Sequence, residues 1–461
     1  MLTAIAAGHP ASADAGAEIL EDGGSAADAA VAACLASCVA ETVMTGLLGG
    51  GHAIYYDALS GHTRNLDCFV AVPGLDAEQR EATLIELQVP FGAELVHYAV
   101  GIASCGVPGV PAGLGVLHRA YGRLPWPRLV EPALRLASAG VDLPPAHSAC
   151  LEMLARVMTM NEGERIYSPG GRLLQAGDRL EQPGLAAALG LLADEGPESV
   201  YTGTISKRLL ALMDERGGLV TRSDLETYAA AWEEPTEVPY AGTRFLTRSG
   251  LSGVPATLSR LPPLRGVSPR DRVLALVDSL AGSSGAGHTT NLTVVDAEGS
   301  ACVLTTSLGL GSGDFLPGLD LHLNSMLGET DLKRGTLEPG ARMQSMMAPS
   351  LALSPEGRLE LAIGAAGGTR LRTALVGVAA GVLDERLEPQ AAVDHPRFHP
   401  AGETVHAEPG VDEEALRKLE RRGNAVRRWP DKHHYFGGVS LVARTGAAAD
   451  SRRSGAVRGP G

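Results

Sequence analysis

Two adjacent threonines, Thr289 and Thr290, stand where the chain changes from an irregular stretch to a short, strand-like apolar run. The plain interpretation is a pair of residues with high β-propensity that opens a hairpin. A chemical interpretation is also open, because a threonine released as a new N-terminus carries a hydroxyl nucleophile and an α-amine together. That amine has an ordinary pKa near ~8, so it can accept the hydroxyl proton at neutral pH without a separate base. The GxSxG motif of serine hydrolases is absent from the sequence.

The elements around this pair form a predicted hairpin, with strands over residues 291–296 and 302–307 and a turn between them. A glycine-rich stretch, 309–313, follows, and an apolar helix is predicted over 373–383. In the first half, Ser25 is the expected N-cap of a buried helix over 26–38, and a glycine-rich turn precedes a strand over 52–56. Residues 107–114 and 240–287 are interpreted as connectors, the second containing only one helix, 269–280. The end of the tail 451–461 is expected to be frayed.

The charge balance argues against a nucleic-acid partner, because 39 Lys and Arg face 53 Asp and Glu, for a net charge of −14. The first lysine or arginine is Arg64, so a positively charged leader is not expected. The longest apolar stretch, 29–40, is too short to cross a bilayer. We therefore expect a cytoplasmic protein with no membrane partner.

Cysteines and histidines give no sign of a metal or disulfide framework. The six cysteines form no CxxC pair and no cluster with histidine, which favours small buried side chains over ligands. Adjacent His433 and His434 cannot easily face one ion, so a surface loop is the preferred interpretation. His395 and His399 flank prolines and are interpreted as structural. No metal or organic cofactor is expected.

The stretch around the threonine pair, HTTNLTVVDAEG, resembles the motif that opens the small subunit of the γ-glutamyltransferase family, the γ-glutamyltranspeptidases or glutathione hydrolases. Further segments resemble the family in the same order along almost the whole chain. They are GHPASADAGAEILEDGGSAADAAVAACLA, GLLGGGHAIYYD, VPGVPAGLGVLHRAYGRLPW, GGLVTRSDLETY, MQSMMAPS, GAAGGTRLRTA, HPRFHP and ADSRRSG. We therefore identify the chain from its sequence as an atypical member of this family.

The resemblance implies an α+β fold, the four-layer αββα sandwich of N-terminal-nucleophile hydrolases. It implies self-cleavage between His288 and Thr289, which gives a large subunit over residues 1–288 and a small subunit over 289–461. The two would remain associated within one αββα domain, and a higher homo-oligomer is left open. The expected substrate is a small acyl or peptide-like molecule.

Specific roles follow from the resemblance. Thr289 is the implied nucleophile, Ser307 the hydroxyl that hydrogen-bonds it, and Gly367 with Gly368 the oxyanion hole, where glycine leaves backbone N–H groups unobstructed. A strand-to-helix turn would also favour that glycine pair. Two further residues are implied to bind substrate: Ser345 its carboxylate and Glu329 its α-amino group.

Four departures concern mainly glutamate recognition. Phe69 stands where the family has the arginine that clamps the substrate carboxylate, and an apolar ring cannot replace a guanidinium. Met346 replaces the second of two serines, and Gly309 replaces an asparagine. The connector before residue 288 is shorter than usual. Separately, Asn291 stands where the family usually has histidine.

Three functions are therefore carried forward. The first is a hydrolase or transferase of γ-glutamyl groups. The second acts on a different acyl group, through an amide or a carbon–carbon bond, in a specialised-metabolite pathway such as antibiotic biosynthesis. The third is a non-catalytic binding homologue, whose mark would be failure to cleave itself.

Overall fold

The structure is a computed structural model that describes residues 2–76, 84–91, 94–280, 289–329, 332 and 337–459. The junction before Thr289 therefore lies outside the described residues. The helices are α1 (Pro10–Glu21), α2 (Ala26–Ala40), α3 (Val110–Tyr121), α4 (Trp126–Ala139), α5 (Pro145–Met158), α6 (Gly163–Tyr167), α7 (Pro183–Glu195), α8 (Thr204–Arg216), α9 (Arg222–Thr227), α10 (Val254–Arg260), α11 (Pro269–Leu280), α12 (Arg370–Leu383), α13 (Pro389–Asp394) and α14 (Glu413–Arg421).

The strands alternate with these helices along the chain. They are β1 (Ala4–Ala7), β2 (Gly50–Tyr56), β3 (Thr63–Cys68), β4 (Ile85–Phe91), β5 (Glu94–Val100), β6 (Val141–Asp142), β7 (Arg179–Leu180), β8 (Ala231–Glu233), β9 (Thr236–Tyr240), β10 (Thr243–Thr247), β11 (Thr290–Val295), β12 (Ala301–Ser307), β13 (Phe315–Leu316), β14 (Leu321–His322), β15 (Ser350–Leu353), β16 (Leu359–Ala366), β17 (Phe398–Ala401), β18 (Thr404–Ala407), β19 (Ala425–Arg428), β20 (Gly438–Ala443), β21 (Gly446–Ala449) and β22 (Ala456–Arg458).

Two antiparallel sheets form the centre of the molecule. The first has the order β22-β1-β11-β12-β2-β3-β8, and the second has the order β21-β20-β16-β15-β10-β9. Strand β11 lies inside the first sheet, between β1 and β12, and its register pairs Thr290 with Thr306. The strand that begins at the threonine pair is therefore held on both sides by backbone hydrogen bonds.

The two sheets face each other across an apolar interior to which both contribute. Ile54, Val295 and Val303 from the first sheet pack with Leu351 and Val442 from the second. Helices cover the outer faces: α1 to α4, α7 and α8 pack on the first sheet, and α10 to α12 and α14 pack on the second. The result is the four-layer αββα sandwich that the resemblance implied.

Helix α2 is the innermost helix of its layer, and all of its 15 residues are buried. Eight of them are alanine, which lets neighbouring elements approach closely. The helix begins at the predicted N-cap, since the Ser25 hydroxyl accepts the N–H of Asp28 and the Asp28 carboxylate accepts the N–H of Ser25. It ends at Glu41, directly below the start of β11.

Two sequence interpretations of connecting segments were wrong. The stretch 240–280 contains β10, an inner strand of the second sheet, and two helices, α10 and α11, rather than one. The segment 107–114 contains the first turn of α3 from Val110, since proline is tolerated in a first helical turn. Near the C-terminus, β22 pairs with β1. The end of the tail, where fraying is expected, lies outside the described residues.

Within the described ranges, no helix combines the length and the apolar character needed to cross a membrane.

Candidate active site

Thr289 lies at the inner end of β11 and is 5 % exposed. Its hydroxyl oxygen accepts a hydrogen bond of 2.8 Å from the backbone N–H of Gly367. Gly367 comes from the opposite sheet, directly after β16. At this end of the sandwich, the two sheets are therefore joined by a hydrogen bond between the Thr289 hydroxyl and the Gly367 amide.

The glycine pair after β16 has a backbone that other residues adopt with difficulty. Gly367 has a φ of 127° and Gly368 a φ of 59°. A Cβ on Gly367 would lie 2.9 Å from the Cα of Gly437. Helix α12 begins two residues after the pair, so the turn joins strand to helix and also presents an N–H to Thr289.

Ser307 ends β12 and lies beside Thr289. The register of β11 and β12 pairs Thr290 with Thr306, which places the next two residues, Thr289 and Ser307, at the open ends of adjacent strands. Ser307 is 3 % exposed, and its hydroxyl accepts the N–H of Gly309 at 2.9 Å. The strand pairing thus brings a second hydroxyl to the nucleophile candidate.

The structure explains Gly309, which departs from the family pattern. Gly309 has a φ of 72°, and a Cβ there would lie 2.6 Å from the Ser325 hydroxyl and 2.7 Å from a carboxylate oxygen of Glu329. Glu329 is 5 % exposed. An asparagine would collide with both side chains, so the Glu329 carboxylate takes space that a larger residue would need.

These residues share one cleft of about 340 Å³. Its lining joins the strand ends to an apolar wall, and comprises Phe69, Thr289, Ser307, Met326, Glu329, Leu332, Ser345, Met346, Met347, Gly368 and Leu371. Seven of the eight residues singled out from the sequence line it, and the eighth, Gly367, touches Thr289. None of the described lining residues is lysine or arginine.

Phe69 is fixed firmly in the cleft wall. It is 1 % exposed, and its ring stacks on His52 with centroids 5.5 Å apart. Its N–H donates to Asp67, and its carbonyl accepts from Tyr228 and Arg342. Burial, and then nearby arginine charges, hold the pKa of His52 well below its usual value, so the ring behind Phe69 is neutral.

The other cleft residues extend the apolar wall. Phe69 packs in a cluster with Met326, Met343 and Met347, and Met346 packs against its edge. Methionine side chains adapt their shape and contribute no charge. The wall where the family pattern has an arginine and a second serine is therefore apolar here.

Asn291, where the family usually has histidine, lies between the sheets rather than in the cleft. Its amide is 2.7 Å from the hydroxyls of Thr305 and Ser440, which belong to β12 and β20. Gly364 leaves room for that amide, because a Cβ on it would clash with Asn291. Asn291 therefore joins three strands.

A second chamber touches Thr289 away from the cleft. Its polar lining includes Glu41, His147, Thr290 and Arg453. None of these residues was selected from the sequence. Glu41 is 2 % exposed and Arg453 is 4 % exposed, so both are buried.

The histidines considered for metal binding do not form a site. Within the described residues, no group of three or more His, Cys, Asp or Glu side chains is arranged to hold a metal ion. The His433 ring contacts the rings of Trp429 and His434 at a tilt, with centroids 4.8 and 4.1 Å apart. His434 is 8 % exposed, so it is not the surface residue that the sequence suggested.

This αββα sandwich is the fold of the N-terminal-nucleophile hydrolases, a class of enzymes. The cephalosporin acylase structure from Bacillus halodurans has this fold. It matches with a TM-score of 0.83 over 99 % of this chain and 96 % of that one, at 22 % identity. More specifically, the chain belongs to the gamma-glutamyltranspeptidase family, whose sequence profile matches residues 12–274 and 275–459. The family and the fold predicted from the sequence are confirmed.

Similar curated proteins carry two kinds of name. The acylase ACY 1 proenzyme of Pseudomonas sp. (strain SE83) is 28 % identical, over 95 % of this chain and 89 % of its own length. The glutathione hydrolase proenzyme of Escherichia coli (strain K12) is 25 % identical, over 89 % of this chain and 83 % of its own length. The relatives are thus enzymes that hydrolyse or transfer acyl groups.

Proposed function

We propose that this chain is a self-cleaving acylase whose nucleophile is Thr289 and whose acyl group binds in the cleft beside Phe69. The observation that carries the proposal is the contact of the Thr289 hydroxyl with the Gly367 N–H, at the end of a cleft with an apolar wall. Relatives called proenzymes support the self-cleavage.

In the proposed first stage, the Thr289 hydroxyl attacks the carbonyl carbon of His288. An ester replaces the peptide bond, and water then hydrolyses it. The products are residues 1–288 and 289–461, and Thr289 gains a free α-amine.

In the proposed second stage, that amine accepts the hydroxyl proton as Thr289 Oγ attacks the acyl carbon of the substrate. Gly367 N–H already lies 2.8 Å from the attacking oxygen. A carbonyl carbon bonded to that oxygen would place its own oxygen within reach of the Gly367 and Gly368 amides, which would stabilise its negative charge. Ser307 positions the hydroxyl, and water or an amine releases the acyl group.

The lining of the cleft favours a particular acyl group. Phe69, Met346 and Met347 suit an apolar chain, and Glu329 suits an amino group on that chain. No cation among the described lining residues matches a carboxylate. We therefore place acyl groups without a carboxylate first, and keep γ-glutamyl as the second candidate because Glu329 and Ser345 both line the cleft.

Intact mass under denaturing conditions tests self-cleavage. The wild-type chain should give two fragments that meet at the 288/289 bond, and Thr289→Ala should remain whole. A single uncut wild-type chain would overturn the mechanism and favour the non-catalytic binding homologue.

Four p-nitroanilides test the acyl group: γ-glutamyl, glutaryl, 4-aminobutanoyl and pentanoyl. They differ in whether an amino group, a carboxylate, both or neither stands at the end of a chain of four or five carbons. We expect kcat/KM to be highest for 4-aminobutanoyl or pentanoyl. A clear preference for γ-glutamyl would transfer the assignment to the second candidate.

A further inference from the structure

Self-cleavage poses a proton problem that the mature enzyme does not have. Before the cut, the α-nitrogen of Thr289 is part of a peptide bond and cannot act as a base. The hydroxyl proton must therefore go elsewhere while the new ester bond forms. The chamber beside Thr289 contains groups that can accept this proton.

Glu41 lines this chamber and is hydrogen-bonded to Thr290, the residue after the nucleophile candidate. One of its carboxylate oxygens accepts from the Thr290 hydroxyl at 2.5 Å, and the other accepts from the Ser12 hydroxyl at 2.7 Å. Glu41 is 2 % exposed. Gly8 closes over this pair, since a Cβ there would lie 2.5 Å from Glu41 and 2.7 Å from Thr290.

Arg453 gives the chamber an unusual charge. Its guanidinium donates to the carbonyl of Thr289 at 3.4 Å and to the sulfur of Met44 at 3.1 Å. Its Nε and Nη2 are buried and have no hydrogen-bond partner, and it has no ion pair among the described residues. Asp450, which also lines the chamber, is already paired with Arg397 and Arg452.

A buried cation without a carboxylate partner is costly. Its position across the chamber favours a negative charge on Glu41. The chamber has space for a water molecule beside these polar groups.

We propose that Glu41 accepts the Thr289 hydroxyl proton during self-cleavage, from this chamber, through Thr290 and a water molecule. The inference rests on the proposed function. As the bond from Thr289 Oγ to the carbonyl carbon of residue 288 forms, the proton passes to the Glu41 carboxylate. As the carbon–nitrogen bond breaks, Glu41 returns the proton to the leaving α-nitrogen. Glu41 ends in the state in which it began.

The surroundings of Glu41 support this assignment. Burial raises its pKa to about 7, against the opposing effects of Thr290, Ser12 and Arg453. His147 is a weaker base, because burial lowers its pKa to about 3, and burial likewise lowers the pKa of neighbouring His9 to about 4. The Cys34 thiol on α2 stays neutral, since a hydrogen bond with Cys38 and burial raise its pKa.

The test follows cleavage of newly made chain at different pH values. Full-length precursor is labelled briefly in cell-free synthesis, transferred to buffers from pH 5.5 to 8.5, and sampled for uncut chain. Wild-type cleavage should accelerate as pH rises through about 7. Glu41→Gln should slow cleavage by about 100-fold or more and abolish this pH dependence.

Matched variants keep the test decisive. Glu356→Gln, at an exposed turn, should behave as wild type. Thr290→Ser keeps the hydroxyl and should retain the pH profile, whereas Thr290→Val should lose it. If circular dichroism shows that Glu41→Gln does not fold, the comparison of Thr290→Ser with Thr290→Val tests the role of Glu41 by itself.

The outcomes separate the two proposals. If Glu41→Gln is cleaved as fast as wild type and with the same pH dependence, the role of Glu41 is overturned and the acylase proposal stays intact. Thr290→Val takes the place of Glu41→Gln in this comparison if Glu41→Gln does not fold. A wild-type chain that stays uncut at every pH would overturn both.

Discussion

Gly367 combines a φ of 127° with a contact to the Thr289 hydroxyl, so both its backbone and its N–H matter. Gly367→Ala would strain this backbone and press a Cβ against Gly437. We expect kcat for the best anilide to fall by roughly 10²- to 10³-fold, the usual effect of losing an oxyanion donor. Gly377→Ala in α12 is the matched control, because a Cβ there meets no atom within 4 Å. Equal kcat for the two variants would contradict the role given to Gly367.

Phe69 tests the preference of the cleft for acyl groups. Phe69→Arg should raise kcat/KM for γ-glutamyl relative to 4-aminobutanoyl p-nitroanilide by roughly 10-fold or more, the effect of one hydrogen bond to a charged group. The same variant should unfold at a lower temperature, because the new cation joins Arg248 and Arg342 near buried His52. Phe69→Leu is the control and should keep the wild-type ratio. An unchanged ratio in Phe69→Arg would place the substrate carboxylate elsewhere.

The sequence was informative for site residues that belong to a motif. It was uninformative for residues that reach the site from a distant part of the chain. Thr289, Ser307, Gly367 and Gly368 were selected on motif and residue type, and the structure brings them together. Their catalytic roles remain predictions. Glu41 could not be selected, because its contact with Thr290 crosses 249 positions of sequence.

At the scale of elements, α2 sets the position of Glu41 through its length and its N-cap. Ser25→Ala removes the hydroxyl that accepts the Asp28 N–H. We expect a loss of about 1 kcal/mol in the free energy of unfolding, measured in urea. Ser25→Thr keeps the cap and should lose much less. Equal stability of wild type and Ser25→Ala would show that packing alone fixes the helix.

Local pattern predicted the elements with strong periodicity. The helix expected over 269–280 is α11, Pro269–Leu280, and the hairpin expected over 291–307 is formed by β11 and β12. The stretch 240–280 was misread because its proline and glycine residues hide β10, which pairs with the preceding strand β9 in a hairpin and with the distant strand β15. The pairing with β15 leaves no periodic signal in the local sequence.

At the scale of the whole molecule, buried neutral histidines make stability depend on pH. Burial lowers the pKa of His322 to about 3, while the unfolded chain titrates near 6.5. Between these values the unfolded state binds more protons, so stability is present above about pH 6.5 and is lost as pH falls. His9 and His147 act in the same direction.

We expect the melting temperature to fall steadily from pH 7 to pH 5. His322→Gln should reduce this slope, by roughly 1 kcal/mol for each pH unit in the free energy of unfolding. His62→Gln, at an exposed turn, should leave the slope unchanged. The same slope in both variants would show that His322 is protonated in the folded protein.

Both proposed fragments contribute strands to each of the two central sheets, and in the first sheet their strands interleave. In the first sheet, β1 of the large fragment lies between β11 and β22 of the small one, and β12 pairs with β2. We expect the cut protein to elute as one species in size-exclusion chromatography, even at nanomolar concentration, and to separate only in denaturant. Dissociation on dilution alone would contradict this arrangement.

The position of β1 has an evolutionary consequence. A strand that is paired on both sides with strands of the other fragment is not readily inserted between two fragments that have already folded. Its place between those two strands is open only while the sheet assembles. We therefore expect the two proposed fragments to fold as one polypeptide before the proposed cut between them. If the gene were split at the cut site, two separately made polypeptides would have to meet in solution and assemble the shared sheet. This constraint favours keeping both halves in a single reading frame, although the working enzyme would contain two chains.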